Sequence, residues 1–177
     1  MKYILIILIP ILFISCKNKN TQTDFIVNCF HNNKVYPENA DIVLNKTCEF
    51  KNHIFKSIGK SDFNGRYSYE YEIFRIKNND TLKINNVDFF NNNSIELERL
   101  INKKLKTENE SNSENTEISD CLKWIKFRYY KLNEFGITFT DKNQMEFNID
   151  YGIGSACFNV SFSSVIMEFH EIEKYLK

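Results

Sequence analysis

Two runs of strict two-residue alternation constrain this chain more than any other feature. In the first, Tyr67, Tyr69, Tyr71 and Ile73 alternate with Arg66, Ser68, Glu70 and Glu72. In the second, Met145, Phe147, Ile149 and Tyr151 alternate with Glu146, Asn148 and Asp150. Successive side chains of a β-strand point to opposite faces, so a period of two gathers the apolar members on one side. Each run predicts a strand with one apolar and one polar face. The flanking turns agree. Lys77-Asn78-Asn79-Asp80 separates the first run from Thr81-Leu82-Lys83-Ile84, and Asp141-Lys142-Asn143 separates residues 136–140 from the second. Clusters of Asn and Asp between apolar runs mark tight connections, so both pairs read as hairpins.

Between the hairpins the period changes. Residues 95–106 set Leu97, Leu100, Ile101 and Leu105 on one helical stripe, with cap residues at 91–94. Glu96 and Glu98 come early and Lys103 and Lys104 late, which suits the helix dipole and reads as a solvated face. Residues 107–119 are polar and acidic and read as a flexible loop. Residues 124–130 alternate again, with Ile125, Phe127 and Tyr129 on one face, and predict a further strand. Phe158, Val160 and Phe162 open another that extends to Met167, and residues 170–176 close as a short helix. Before residue 60 the signal is weaker. Phe25-Ile26-Val27 and Ile42-Val43-Leu44 read as short strands either side of a turn at Pro37-Glu38-Asn39, and residues 54–58 as a strand or a helical turn. The sum is an α+β fold: an antiparallel sheet of hairpins with one central helix and a short C-terminal helix, in one domain over residues 25–177.

The first residues carry an address. Lys2 precedes an apolar run over residues 3–14, followed by Ser15-Cys16 and then Lys17-Asn18-Lys19-Asn20. The run is too short to cross a bilayer, which takes roughly 20 apolar residues. A small residue and a cysteine directly after it form the pattern of a lipoprotein signal peptide over residues 1–15, cut before Cys16. Lipid on that thiol would anchor the chain, at about 0.8 kcal/mol per buried methylene, with residues 16–24 as a flexible tether. No acidic residue closely follows Cys16, which points to the outer membrane's periplasmic face. An ordinary signal peptide or an anchor helix is the alternative.

Four further cysteines, Cys29, Cys48, Cys121 and Cys157, make an even set in an exported chain. Oxidising compartments sustain disulfides. The favoured pairing is Cys29–Cys48 and Cys121–Cys157, since each pair lies within one segment. Closing such loops is worth on the order of 3 kcal/mol each. Buried free thiols are the alternative.

The chemistry-bearing residues form no recognisable active site. There is no Gly-rich phosphate loop, nucleophile elbow or His-Glu-x-x-His. Cys29, His31, Cys48 and His53 are zinc-ligand types at unusual spacing, and paired thiols would consume two of them. Cys157 with His170 is a nucleophile and base only if the thiol is free. Asp141, Glu146 and Asp150 are acid–base types that a solvated sheet face explains equally well. The 23 basic residues balance the 23 acidic ones, which argues against nucleic acid as a partner, since that needs an excess of cations. Tyr67, Tyr69 and Tyr71 remain as an interaction candidate, because tyrosine offers contact area at low entropy cost. Their other reading is the core.

Taken in order, several of these stretches resemble a known domain. Tyr69-x-Tyr71, Asn79-Asp80-Thr81-Leu82, Val87-Asp88-Phe89-Phe90 and the helix over 97–105 come first. Phe135-Gly136-Ile137-Thr138-Phe139-Thr140, Phe147-x-Ile149-x-Tyr151 and Val165-Ile166-Met167-Glu168-Phe169-x-Glu171-Ile172-x-x-Tyr175-Leu176 follow. Over residues 67–177 this order resembles the C-terminal domain of the RsiV-type lysozyme-sensing anti-sigma factors, which also accompanies peptidoglycan deacetylases. Glu168-Phe169 stand where that family usually has Pro-Tyr. The resemblance implies a non-catalytic domain without cofactor or metal, binding a lysozyme-like, muramidase-type protein or peptidoglycan. The expected function is a lipid-anchored envelope binding or accessory protein that is not an enzyme. The alternatives are a periplasmic immunity or inhibitor lipoprotein and a structural envelope lipoprotein.

Overall fold

The computed structural model describes residues 26–36, 41–61, 67–78, 80–112, 119–122, 127–152, 157 and 161–177. Residues 1–25, which hold the expected signal segment, Cys16 and the expected tether, lie outside them, as does Trp124. The strands are β1 (Asn28–His31), β2 (Lys34–Tyr36), β3 (Asp41–Phe50), β4 (His53–Ser61), β5 (Tyr67–Lys77) and β6 (Asp80–Ile84), then β7 (Gly136–Phe139), β8 (Met145–Asp150) and β9 (Phe162–Met167). The helices are α1 (Asn86–Phe89), α2 (Ser94–Asn112), α3 (Ser119–Leu122) and α4 (Phe169–Ile172). The fold is α+β, as the sequence predicts, but the strands divide into two antiparallel sheets. The larger has six strands in the order β1-β3-β4-β5-β6, with β2 also pairing with β3, and the smaller has the order β7-β8-β9.

Both tyrosine-rich and methionine-led alternations become strands, and their turns use the expected residues. Asn78 and Asn143 take positive φ at the tips of their hairpins, which asparagine tolerates. Residues 54–58 belong to β4, so the helical-turn option falls away. The first strand starts later than residues 25–27 suggest. Val27 is buried and Ile26 exposed, and pairing begins at Asn28, in the register that sets Cys29 opposite Cys48.

Two predicted elements differ in the structure, and part of a third lies outside the described residues. α2 does not stop at Lys106 but continues to Asn112, through half of the predicted loop 107–119. Asn109 donates to the Tyr151 hydroxyl at 2.8 Å, and Lys106 pairs with Glu110 one turn on at 3.6 Å, so polar residues here are held in helical form by a tertiary contact and a helix-surface pair. Residues 113–118 of that loop lie outside the described residues. The predicted strand 124–130 is not a strand where it is described: residues 127–131 carry no regular structure. The last strand, β9, begins at Phe162, and the earlier part of the prediction, at 158–160, lies outside the described residues.

The short edge strand β7 lies against the inner face of the large sheet. All four of its residues are buried, because both of its faces are covered. On one, the Phe139 ring meets Phe50 at 5.5 Å and Phe55 at 4.9 Å. On the other, Gly136 lies directly beneath the Tyr71 ring. The apolar face of the small sheet, with Ile137, Met145, Phe147, Val165 and Met167, packs with Leu97, Ile101 and Leu105 of α2 and with Phe89 and Phe90 into one continuous core. The final residues close it. Leu176 bridges to Phe90, and Asn91 holds the Tyr175 and Lys174 carbonyls through its backbone and side-chain N–H groups.

Candidate functional site

The inner face of β5 passes from core to solvent within five residues. Ile73 is buried, Tyr71 half-buried and Tyr69 38 % exposed. The two tyrosine rings stack at 6.2 Å, and Tyr69 meets Phe162 of β9 edge-on at 5.6 Å. Two glycines make room for them. A Cβ on Gly59 would stand 2.6 Å from the Tyr69 ring, and one on Gly136 would collide with the Tyr71 ring. Tyr67 is the first residue of β5. The tyrosines are therefore neither wholly core nor a free surface: Tyr71 buttresses the joint between the sheets and Tyr69 rises from it.

The second face of the small sheet borders the same joint. Pairing sets Gly136 beside Asn148, Asn148 beside Ser164, and Asp150 beside Phe162. Alternation puts Glu146, Asn148 and Asp150 on that face. Burial first, then Glu146, Tyr69 and Asp150, push the Tyr71 phenol well above its ordinary value, so it remains a neutral hydroxyl at any physiological pH. Both carboxylates thus share a field with the tyrosine. The sequence reading of this row as a plain solvated face needs correcting. Glu146 and Asn148 are part-covered, and the Asn148 amide nitrogen is buried without a hydrogen-bond partner among the described residues. Asp141, the third acid of the sequence set, lies apart, 3.5 Å from Lys46 and 3.9 Å from His31.

The thiol chemistry is spent in two disulfides. Cys29–Cys48 joins directly opposed residues of β1 and β3, and Cys121–Cys157 ties α3 to the region before β9. Both match the favoured pairing. Neither a zinc set on Cys29 and Cys48 nor a Cys157 nucleophile survives that. Among the described residues no three of His, Cys, Asp and Glu are grouped closely enough to hold a metal ion. His53 is instead a packing residue. Its ring stands edge-on to Phe89 at 4.9 Å, and Nε2 accepts from Arg75 at 3.5 Å. Burial first, then Arg75, Lys51 and Lys177, hold its pKa down to about 4.

Sequence reasoning missed one polar device altogether. Glu98 and Asn102, one turn apart on α2, are buried rather than solvated. The Asn102 side chain accepts from the Tyr130 N–H at 2.8 Å and donates to the Tyr130 carbonyl at 2.9 Å. Glu98 accepts from the Leu132 N–H at 2.7 Å. These side chains stand in for the strand partner that residues 130–132 lack among the described residues. Their spacing of four on the flank of the apolar stripe was the available signal.

Away from the joint, a concavity of about 470 Å³ runs along α2 beside Leu100, Lys103, Lys104, Thr107, Glu108 and Ser111. Burial pushes the Glu108 carboxyl up, and Lys104 is committed to Glu171 at 2.7 Å. Its described lining comes from a single helix and carries both signs of charge, so it offers no directed chemistry. Among the described residues no helix is long and apolar enough to cross a membrane.

Comparison with protein families, with curated proteins and with solved structures finds no match to this chain.

Proposed function

We propose that this protein is a non-catalytic envelope binding domain, carried on a lipid at Cys16, which recognises a muramidase-type protein or peptidoglycan through the joint between its two sheets. One observation carries the reading: a stacked tyrosine pair stands half out of a close-packed joint, with Tyr69 exposed beside part-open carboxylates. Tyrosine in such a position supplies contact area that is already ordered, so little entropy is lost on binding. The frame suits an oxidising compartment, since two disulfides staple it. Without a free thiol among the described cysteines, and with His53 held neutral in packing, nothing at the joint resembles a nucleophile with its base. The resemblance to the lysozyme-sensing domain and the apolar run before Cys16 add partner class and address to this proposal.

The test is retention. The full chain in neutral detergent, immobilised through its C-terminus, is offered lysozyme, soluble peptidoglycan fragments and envelope extract. Saturable retention of a muramidase-type protein or of the fragments, lost in Tyr69→Ala, is the expected result. Retention of a secreted toxin instead would establish the immunity reading, and retention of nothing by correctly folded protein would refute the binding reading. Cys16→Ala, expressed in a lipoprotein-processing bacterium, is expected to leave the membrane fraction; a variant that stays there unchanged removes the lipid anchor.

A further inference from the structure

The joint carries negative charge that nothing in the described structure balances. Two carboxylates of the large sheet are matched: Glu70 lies 3.2 Å from Lys60 and Glu72 lies 2.7 Å from Lys83. Glu146 and Asp150 are unmatched among the described residues and share one face of a single strand beside the joint. Among the described residues no Lys, Arg or His nitrogen forms an ion pair with either. Asp150 only accepts from the Gly152 N–H at 2.7 Å. The two carboxylates sit four residues apart on one face of β8, so they flank a length of surface instead of converging on a point. That spacing suits an extended cationic chain and not a single metal ion.

Aromatic rings frame the same surface. Tyr69 is exposed, Phe162 stands edge-on to it and pairs across from Asp150, and Ile166, 46 % exposed, pairs across from Glu146. An exposed aromatic face next to uncompensated carboxylates attracts the ammonium of lysine or the guanidinium of arginine twice over, by the ring's quadrupole and by charge. The aliphatic stem of such a side chain also fits against Ile166 and Phe162, since it keeps its charged head in water while burying its methylenes.

We propose that this surface, bounded by Tyr69, Phe162, Glu146 and Asp150, docks a basic polypeptide segment through its lysine or arginine side chains. The inference rests on the binding reading above and names the chemistry of the partner. The alternative of a neutral glycan lying on Tyr69 would use the ring and leave the carboxylates without a role.

The probe is rhodamine-labelled hexalysine, titrated by fluorescence anisotropy against the full chain in neutral detergent at low salt. Saturable binding is expected, weakening about tenfold in Glu146→Gln/Asp150→Asn, as the loss of two part-exposed charge pairs implies. Binding is also expected to loosen in Tyr69→Ala and with added salt. The double variant keeps an acceptor oxygen for the Gly152 N–H, and circular dichroism verifies its fold. The control, Glu96→Gln/Glu173→Gln, removes the same charge elsewhere and is expected to bind as the parent does. Equal weakening in the control, equal binding of hexaglutamate, or no binding by the parent overturns the proposal. The double variant is then run in the retention assay. A muramidase-type protein or wall fragment held there undiminished leaves the binding function standing and removes this site.

Discussion

Strand β5 and the segment 127–131 start from similar sequence and end differently. Both read as alternating, and both are rich in tyrosine. β5 pairs along nine positions with β4 and, over residues 73–77, along five with β6, so its backbone has a strand partner throughout. The 127–131 segment has no strand beside it where it is described. Its Tyr130 and Leu132 backbone groups are met by Asn102 and Glu98 of α2. Alternation states which side chains share a face. Whether those residues become a strand depends on an edge being open to pair with them, and that is settled by the rest of the fold.

The contrast is open to direct attack. The largest effect is expected from Asn102→Leu, which preserves bulk but strands the buried N–H and carbonyl of Tyr130. At about 1–3 kcal/mol for each unpaired buried group, the loss should approach 3 kcal/mol, or about 10 °C in Tm for a chain of this size. Amide exchange should rise first at residues 130–132. If Asn102→Leu melts with the parent, the side-chain clamp is not what holds this segment. Next comes Gly136→Ala, where the new methyl meets the Tyr71 ring. About 2 kcal/mol of overpacking is expected, together with a change in near-UV circular dichroism; a silent substitution would mean that β5 and β7 separate freely.

A smaller effect concerns His53, which β4 sets opposite Arg75 of β5. Its folded pKa of about 4 lies below the unfolded 6.5, so between those values the unfolded chain binds more protons. Stability from neutral His53 is complete above pH 6.5 and is lost as pH falls towards 4. Urea midpoints at pH 7 and pH 4.5 should therefore converge in His53→Asn relative to the parent. Parallel declines would show that the imidazole titrates alike in both states. The smallest effect is expected from Tyr69→Ser. The β5 ladder does not depend on that side chain, so stability should change by under about 1 kcal/mol, while the retention and peptide assays report its role. A large loss of stability would make Tyr69 a core residue after all.

The elements most legible in the sequence were those whose pattern is local. The two hairpins, the capped apolar stripe of α2 and the short C-terminal helix follow from spacing alone, and the cysteine pairs follow from their proximity along the chain. What spacing does not contain is how separate elements meet. The meander expected from the alternations splits into two sheets because β7 turns onto the large sheet at Gly136. A glycine reads as a strand weakener until the Tyr71 ring above it is seen. The candidate site suffered most from this. Tyr69 and Tyr71 were visible as a face, and Glu146 and Asp150 as another, but nothing along the chain indicates that residues 75 or more positions apart border one joint. Glu98 and Asn102 were hidden for the opposite reason. Polar residues flanking an apolar stripe ordinarily face water, and the Tyr130 and Leu132 backbone groups that they bond draw these inward.

The disulfide between Cys29 and Cys48 also determines how this protein would bear a load. A pull on the chain before Asn28 enters the domain at edge strand β1, and an edge strand drawn from one end opens like a zipper, one hydrogen-bonded pair at a time. Here the second residue of β1 is covalently joined to β3. Tension therefore passes almost at once across the sheet into a ten-residue strand paired along its length with β4, where many bonds must give together. With the bridge oxidised the attachment is a rivet; once reduced, it becomes a seam.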